Sequence, residues 1–312
     1  MITETALQTA REITLDIAAA SFMKTELLGV SAQTVKWYRA RLRLFIAALG
    51  PELPLGDITE DDLISWYKTL EARTELDPPD LSVETFHGYV RAVRCLLKWA
   101  YEKHLTITEL WPVLKLPQIP EQEYKGVDDQ DAIALLEVAR QSSPRDYAIL
   151  LFIESTGARR GGVASLKLSD LNLSEPEPFC RRVTVHEKGK RIRTVILSEE
   201  ALEALRAWLT VRQSRTRFVF IDERPAHDNG LTPGGISEII RRYKERLGIT
   251  GRVSPHQWRH RRARCWLKEG MPLKLASQLL GHKTIAVTGK YYGNLLVDDL
   301  QTAYDKYYKP PK

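Results

Sequence analysis

Apolar residues in the first third of the chain recur at helical spacing, with polar stop signals between the runs. Val35, Tyr38, Leu42, Phe45, Ile46 and Leu49 share one helical stripe, Ser31 stands where an N-cap belongs, and Gly50 with Pro51 ends the run. Thr59 followed by Asp62 resembles a capping box, opening a short helix through Trp66 and Leu70. The break DPPD at 77–80 precedes a long helix from about Ser82 to Lys103, with Val83, Phe86, Val90, Val93, Leu97 and Tyr101 on one side. With a helix before residue 30, the pattern predicts a small four-helix domain over 14–112. Pro112, Pro117 and Pro120 interrupt any period in the next stretch, which predicts a linker over 113–126.

Beyond the linker the pattern mixes two periods. Helices are expected at 128–141 and 145–155, the second opened by Ser143 as cap and Pro144 in the first turn. Two alternating runs, RRVTVHE at 181–187 and KRIRTVIL at 190–197, read as a hairpin joined through Lys188 and Gly189. Helices resume near 199–213, 234–247, 255–269, 272–280 and 284–291. The expected fold is mainly α with a small antiparallel β-sheet, in an N-terminal helical domain and a second domain over 127–312.

Composition narrows the setting. No apolar run approaches the ~18–20 residues that cross a bilayer, and the N-terminus lacks a secretory apolar core, so a cytoplasmic protein with no membrane partner is expected. Cys95, Cys180 and Cys265 are far apart and without metal or redox spacing, which suits a reducing compartment. Charge is unevenly placed. Residues 1–112 hold 12 Lys and Arg against 16 Asp and Glu, while the rest holds 34 against 24. A basic second domain points toward a polyanion.

Four separated stretches carry candidate chemistry. ESTGARRGGVASL at 154–166 places Arg159 just after a turn at Gly157. The hairpin tip offers Lys188. In SPHQWRHRR at 254–262, Ser254 and Pro255 open a helix on which His256 and Arg259 share a face, with His260 one position further. In LLGHKTIAVTGKYYG at 279–293, Gly281 ends a helix, and His282 leads toward Tyr291 and Tyr292. Each residue alone reads blandly, as a helix-end arginine, a solvated hairpin lysine or a half-buried tyrosine. His256 and His260, four apart, have no third residue at metal-ligand spacing.

Taken jointly, the stretches resemble the tyrosine recombinase (phage integrase) family. Its fingerprint runs TGxRxxE, a hairpin Lys, HxxRH, LGH, and a Tyr nine residues after that His, the spacing from His282 to Tyr291. The likeness covers about 127–300, and the N-terminal helices resemble the family's core-binding domain. One position departs: the family carries an acid three residues after the first arginine, where this chain has Gly162.

The resemblance implies cleavage and rejoining of DNA through a 3′-phosphotyrosine on Tyr291. Arg159 and Arg259 would clamp the scissile phosphate, Lys188 would protonate the leaving 5′-oxygen, His256 would assist proton transfer, His282 would bond the phosphate or position the nucleophile, and His260 would support the site. No metal or other cofactor is implied. The implied partners are a double-stranded recombination site and further recombinase copies, four protomers exchanging strands through a Holliday junction, with a paired recombinase or accessory protein as a further option. A start directly at the core-binding domain favours a compact Xer-like or mobile-element enzyme. The segment after Tyr291, with Leu296, Leu300, Ala303, Tyr304 and Tyr307 at helical spacing, would cover its own chain or, as the resemblance suggests, dock on a neighbouring copy. Two rivals remain: a noncatalytic DNA-binding descendant, suggested by Gly162, and a metal-dependent nuclease.

Overall fold

The computed structural model of the chain describes residues 13–120, 126–187, 191–222, 229–282 and 284–292, with backbone alone at Val287, Lys290, Tyr291 and Tyr292. The chain divides into two compact units, Met1–Glu121 and Gln122–Lys312.

The first unit contains helices α1 (Leu15–Thr25), α2 (Ala32–Leu49), α3 (Glu60–Thr74) and α4 (Val83–Glu102). Their starts are set by the caps visible in the sequence. Ser31 and Ser82 accept the backbone N–H of Thr34 and Thr85, each at 3.2 Å, and Thr59 with Asp62 forms a reciprocal capping box. Leu42 and Phe45 of α2, Trp66 of α3 and Val90, Val93 and Leu97 of α4 meet in one core with Leu15 and Phe22 of α1. Phe45 and Trp66 pack edge to face with ring centroids 5.0 Å apart. This unit extends past residue 112: Leu114 is buried in its core, and Arg94 Nη1 donates to the carbonyls of Trp111, at 2.8 Å, and Leu114.

The second unit is built around one buried helix. Helices α5 (Asp129–Ser142) and α6 (Pro144–Thr156) come first, and residues 148–153 of α6 are buried on every side. That explains its lack of an amphipathic stripe: α5, α8 (Glu199–Val211) and α10 (Pro255–Lys268) pack around it. After α6 comes a five-residue helix, α7 (Arg160–Ala164), whose paired glycines hid it from a sequence reading. Strands β1 (Arg182–Glu187) and β2 (Arg191–Ile196) form an antiparallel pair, with Val183 opposite Val195, Val185 opposite Arg193 and Glu187 opposite Arg191. Helices α9 (Pro233–Arg246), α11 (Leu273–Leu280) and α12 (Ile285–Tyr292) complete the unit. Among the described residues, no helix is long and apolar enough to cross a membrane.

A buried carboxylate fixes α6 against α9. Asp146, 1% exposed, accepts from Arg145 at 2.8 and 2.9 Å, from Arg242 at 2.7 Å and from the Tyr243 hydroxyl at 2.9 Å. Removing the carboxylate takes the anionic acceptor from buried Arg145, from the largely exposed Arg242 and from the Tyr243 hydroxyl, a loss on the order of 2–3 kcal/mol. Asp146→Ala is therefore expected to lower the urea midpoint of the second unit's unfolding transition by a corresponding amount. An unchanged midpoint would contradict this assignment.

Candidate active site

Two left-handed glycines put the first site elements in place. Gly157 (φ 59°) ends α6, its N–H reaching the Ile153 carbonyl at 2.8 Å, and Arg159 follows as the residue preceding α7. A Cβ at Gly157 would stand 3.0 Å from Leu280 Cδ2 and 3.8 Å from Arg259 Cγ, so a side chain is resisted by both backbone and space. Gly281 (φ 68°) ends α11 and turns the chain at His282, whose N–H bonds the Ser277 carbonyl at 3.0 Å.

Helix α10 begins as its sequence signals require: the Ser254 hydroxyl accepts the Gln257 N–H at 3.3 Å, with Pro255 in the first turn. His256 is exposed, while Arg259 and His260, 2% and 3% exposed, turn inward. Arg259 Nη1 donates to the Gly157 carbonyl at 2.7 Å and Nη2 to the Leu280 carbonyl. One guanidinium thus joins the turn that presents Arg159 to the helix end that presents His282. The His256 and His260 rings meet edge to face, with centroids 4.6 Å apart.

Arg159, its side chain 39% exposed, faces a cleft of about 510 Å³ lined by Arg160, Gly161, Gly162, Glu187, Ser254 and His256. The two site arginines therefore differ: Arg159 is open and Arg259 enclosed. Arg159 Nη1 is bonded to Glu187 Oε2, and Arg193 donates to Glu187 Oε1 from Nε at 3.3 Å and Nη2 at 3.1 Å. Arg193 Nη1 also donates to the Leu279 carbonyl. Burial holds the Arg193 guanidinium below its ordinary pKa, and the Glu187 charge opposes that shift.

Desolvation and these cations lower the pKa of all three imidazoles. Desolvation and then the charges of Arg259, Arg159 and Arg160 hold His256 below its usual value. His260 is lowered to about 4 by desolvation and then by His256 and Arg259. His282 is lowered to about 4 by desolvation, followed by Arg259, Arg159 and Arg193. A neutral imidazole can accept a proton or hydrogen-bond an oxygen without adding to the crowd of positive charge.

His282 Nδ1 lies 2.7 Å from the hydroxyl of Thr288, a buried residue of α12. That helix carries Tyr291 and Tyr292, of which only the backbone is described, and Lys188 lies outside the described residues. Arg159, Arg259, His256, His260 and His282 come to one neighbourhood. The basic run following Arg259 is partly consumed within the protein, since Arg261 and Arg262 both bond Glu154, the latter at 2.7 Å. Glu187 and Arg193 escaped the sequence reading, yet a signal existed: in RRVTVHE, Glu187 has the same inward phase as Val183 and Val185, an unusual place for an acid.

The phage integrase family profile matches residues 125–296. A XerC tyrosine recombinase of Thermodesulfovibrio yellowstonii is 31% identical over 294 residues, covering 89% of this chain and 91% of the relative. The XerA tyrosine recombinase of Pyrococcus furiosus is 26% identical over 267 residues, 85% of each chain. Among solved structures, a lambda integrase dimer bound to a core site superimposes with a TM-score of 0.73 at 17% identity, covering 89% of this chain and 95% of the other. The Tn1549 transposon integrase in complex with a circular intermediate DNA gives 0.73 at 15%, covering 95% and 100%. At these identities the two structures speak for the fold. The chain belongs to the phage integrase family and is a site-specific tyrosine recombinase.

The depressed imidazoles predict a pH dependence. A histidine at about 4 when folded and 6.5 when unfolded stays neutral in the native protein while the unfolded chain takes up protons. Its stabilising contribution is complete above pH 6.5 and is lost progressively as the pH falls toward 4. Thermal melting should show the second unit's Tm falling through this window, with a shallower slope in His260→Gln. An identical slope in that variant would contradict neutral burial of His260.

Proposed function

We propose that this recombinase cleaves DNA through Tyr291 and rejoins it without a metal, the phosphate charge being held by protein cations. The observation that carries the reading is the convergence of Arg159, Arg259 and three histidines of lowered pKa in one neighbourhood, with Arg159 and His256 lining its cleft, in a unit whose helix α12 bears Tyr291.

The phosphate oxygens gain negative charge as the tyrosine oxygen attacks phosphorus, and guanidinium groups hold such charge at any working pH. Arg159 would meet the anion from the open side of the cleft, and Arg259 would add its charge from beneath. The Tyr291 oxygen forms a bond to phosphorus while the bond to the 5′-oxygen breaks, leaving a 3′-phosphotyrosine. Neutral His256 can receive the phenol proton, and Lys188 would deliver a proton to the departing 5′-oxygen. Attack by another strand's 5′-hydroxyl reverses the step and releases the tyrosine. His282, tied to α12 through Thr288, would keep the nucleophile's helix in register with the arginines, with His260 supporting from behind.

The first unit fits the role of a core-binding domain. Lys36, Arg39 and Arg43 are exposed and recur along one face of α2, and Arg91 and Lys98 are exposed on α4, which packs against it. Each cation that neutralises a backbone phosphate steepens the salt dependence of binding. Strand exchange through a Holliday junction by four copies follows the same reading. A lambda integrase tetramer bound to a Holliday junction is among the similar folds, with a TM-score of 0.74.

Two results are expected. DNA trapped on the wild-type protein should yield the native site on sequencing, and a nicked version of that site should become covalently attached to wild type, with EDTA making no difference. Tyr291→Phe should bind without attachment. Attachment by that variant would move the nucleophile to another residue, and failure of wild type on its trapped site would favour a binding-only protein. Second, the triple variant Lys36→Ala, Arg39→Ala, Arg43→Ala should flatten the slope of log affinity against log salt by about 2–3. An unaltered slope would remove that face of α2 from the interface.

A further inference from the structure

Glu187 takes no step in the chemistry above, yet it occupies the best-prepared carboxylate position in the cleft. Its side chain is 3% exposed, and its two oxygens are divided between Arg159 and Arg193. The niche exists because two neighbours are glycines. A Cβ at Gly162 would lie 2.5 Å from Val185 Cγ1 and 3.7 Å from Glu187 Cγ. A Cβ at Gly281 would lie 2.8 Å from Arg193 Cδ and 3.5 Å from Glu187 Oε2. Any side chain at either position would press on the pair or on the strand that carries it.

We propose that Glu187 is the positioning residue for Arg159, supplying from the hairpin the carboxylate that Gly162 leaves out of α7. The inference rests on the reading that Arg159 holds the scissile phosphate. An arginine on a flexible stem samples many rotamers, and a buried carboxylate selects one of them before DNA arrives. Among the described residues Glu187 engages only Nη1 of Arg159, so a guanidinium with five N–H donors keeps others to turn toward an anion. The same carboxylate offsets repulsion between Arg159 and Arg193. Through Arg193 and the Leu279 carbonyl it also links the hairpin base to the end of α11, just before Gly281 and His282.

The test compares single-turnover covalent attachment on two nicked substrates built on the trapped native site. One has an ordinary scissile phosphate, and the other a neutral methylphosphonate that leaves Arg159 less charge to hold. Glu187→Gln should slow attachment on the phosphate by about 10²-fold, the scale of a misplaced reacting group. DNA affinity should stay within about threefold, and the loss should shrink to a similar factor on the methylphosphonate. Glu187→Asp keeps the charge on a shorter stem and gives the same comparison if the glutamine variant does not fold, with an expected loss of about tenfold on the phosphate alone. Equal losses on both substrates would make Glu187 a merely structural residue and overturn the proposal. So would a variant as fast as wild type, or a faster one, which would mark Glu187 as an inhibitory counter-ion. If wild type forms no adduct, the phosphotyrosine reading fails and this inference goes with it.

Discussion

Like charges must be held together before this site can hold an anion. Arg159, Arg193 and Arg259 crowd one end of the second unit, and without compensation they would repel one another. The compensation is specific. Glu187 takes Arg159 and Arg193, while the carbonyls of Gly157, Leu279 and Leu280 take Arg259 and the far side of Arg193. Those carbonyls come from helix ends, where backbone acceptors lack intrahelical partners. The helix termini therefore do two jobs, turning the chain toward the site and supplying negative dipole ends beneath its cations.

The protonation states follow from that packing. Desolvation and several nearby guanidiniums disfavour the charged imidazole, so the pKa values of His256, His260 and His282 all lie below the ordinary value. In the proposed mechanism this separates charge from proton traffic: permanently charged groups would face the phosphate, and titratable ones would accept or relay. The hydrogen bond from His282 to Thr288 ties the turn after α11 to the helix that bears Tyr291.

Much of this was legible in the sequence, for identifiable reasons. Caps at Ser31, Thr59, Ser82, Ser143 and Ser254 and stops at Gly50, Gly157 and Gly281 are local signals, and each stands where the structure starts or ends a helix. Arg159, His256, Arg259 and His282 stood out as candidates because local spacing fixes them on turns and helix faces and their joint order resembles the family fingerprint. Glu187 and Arg193 were missed because their significance is non-local. A strand pattern shows that an acid points inward, but not which arginine it meets. Helix α7 was hidden by Gly161 and Gly162, and the reason for Gly162 is a contact with Val185 across the unit. The division of labour between an open Arg159 and an enclosed Arg259 depends on burial, which spacing does not report.

In the proposed mechanism, two guanidiniums distant in sequence meet one phosphate in line with one phenol oxygen. A structure of the protein on its native site, with orthovanadate bridging Tyr291 and a free 5′-hydroxyl, tests that geometry directly. The account predicts a five-coordinate vanadium with the Tyr291 oxygen and the 5′-oxygen at opposite apices. Arg159 and Arg259 should both lie within hydrogen-bond reach of its equatorial oxygens, with Glu187 still bonded to Arg159. Vanadium bound to another residue, or equatorial oxygens beyond the reach of either arginine, would contradict it.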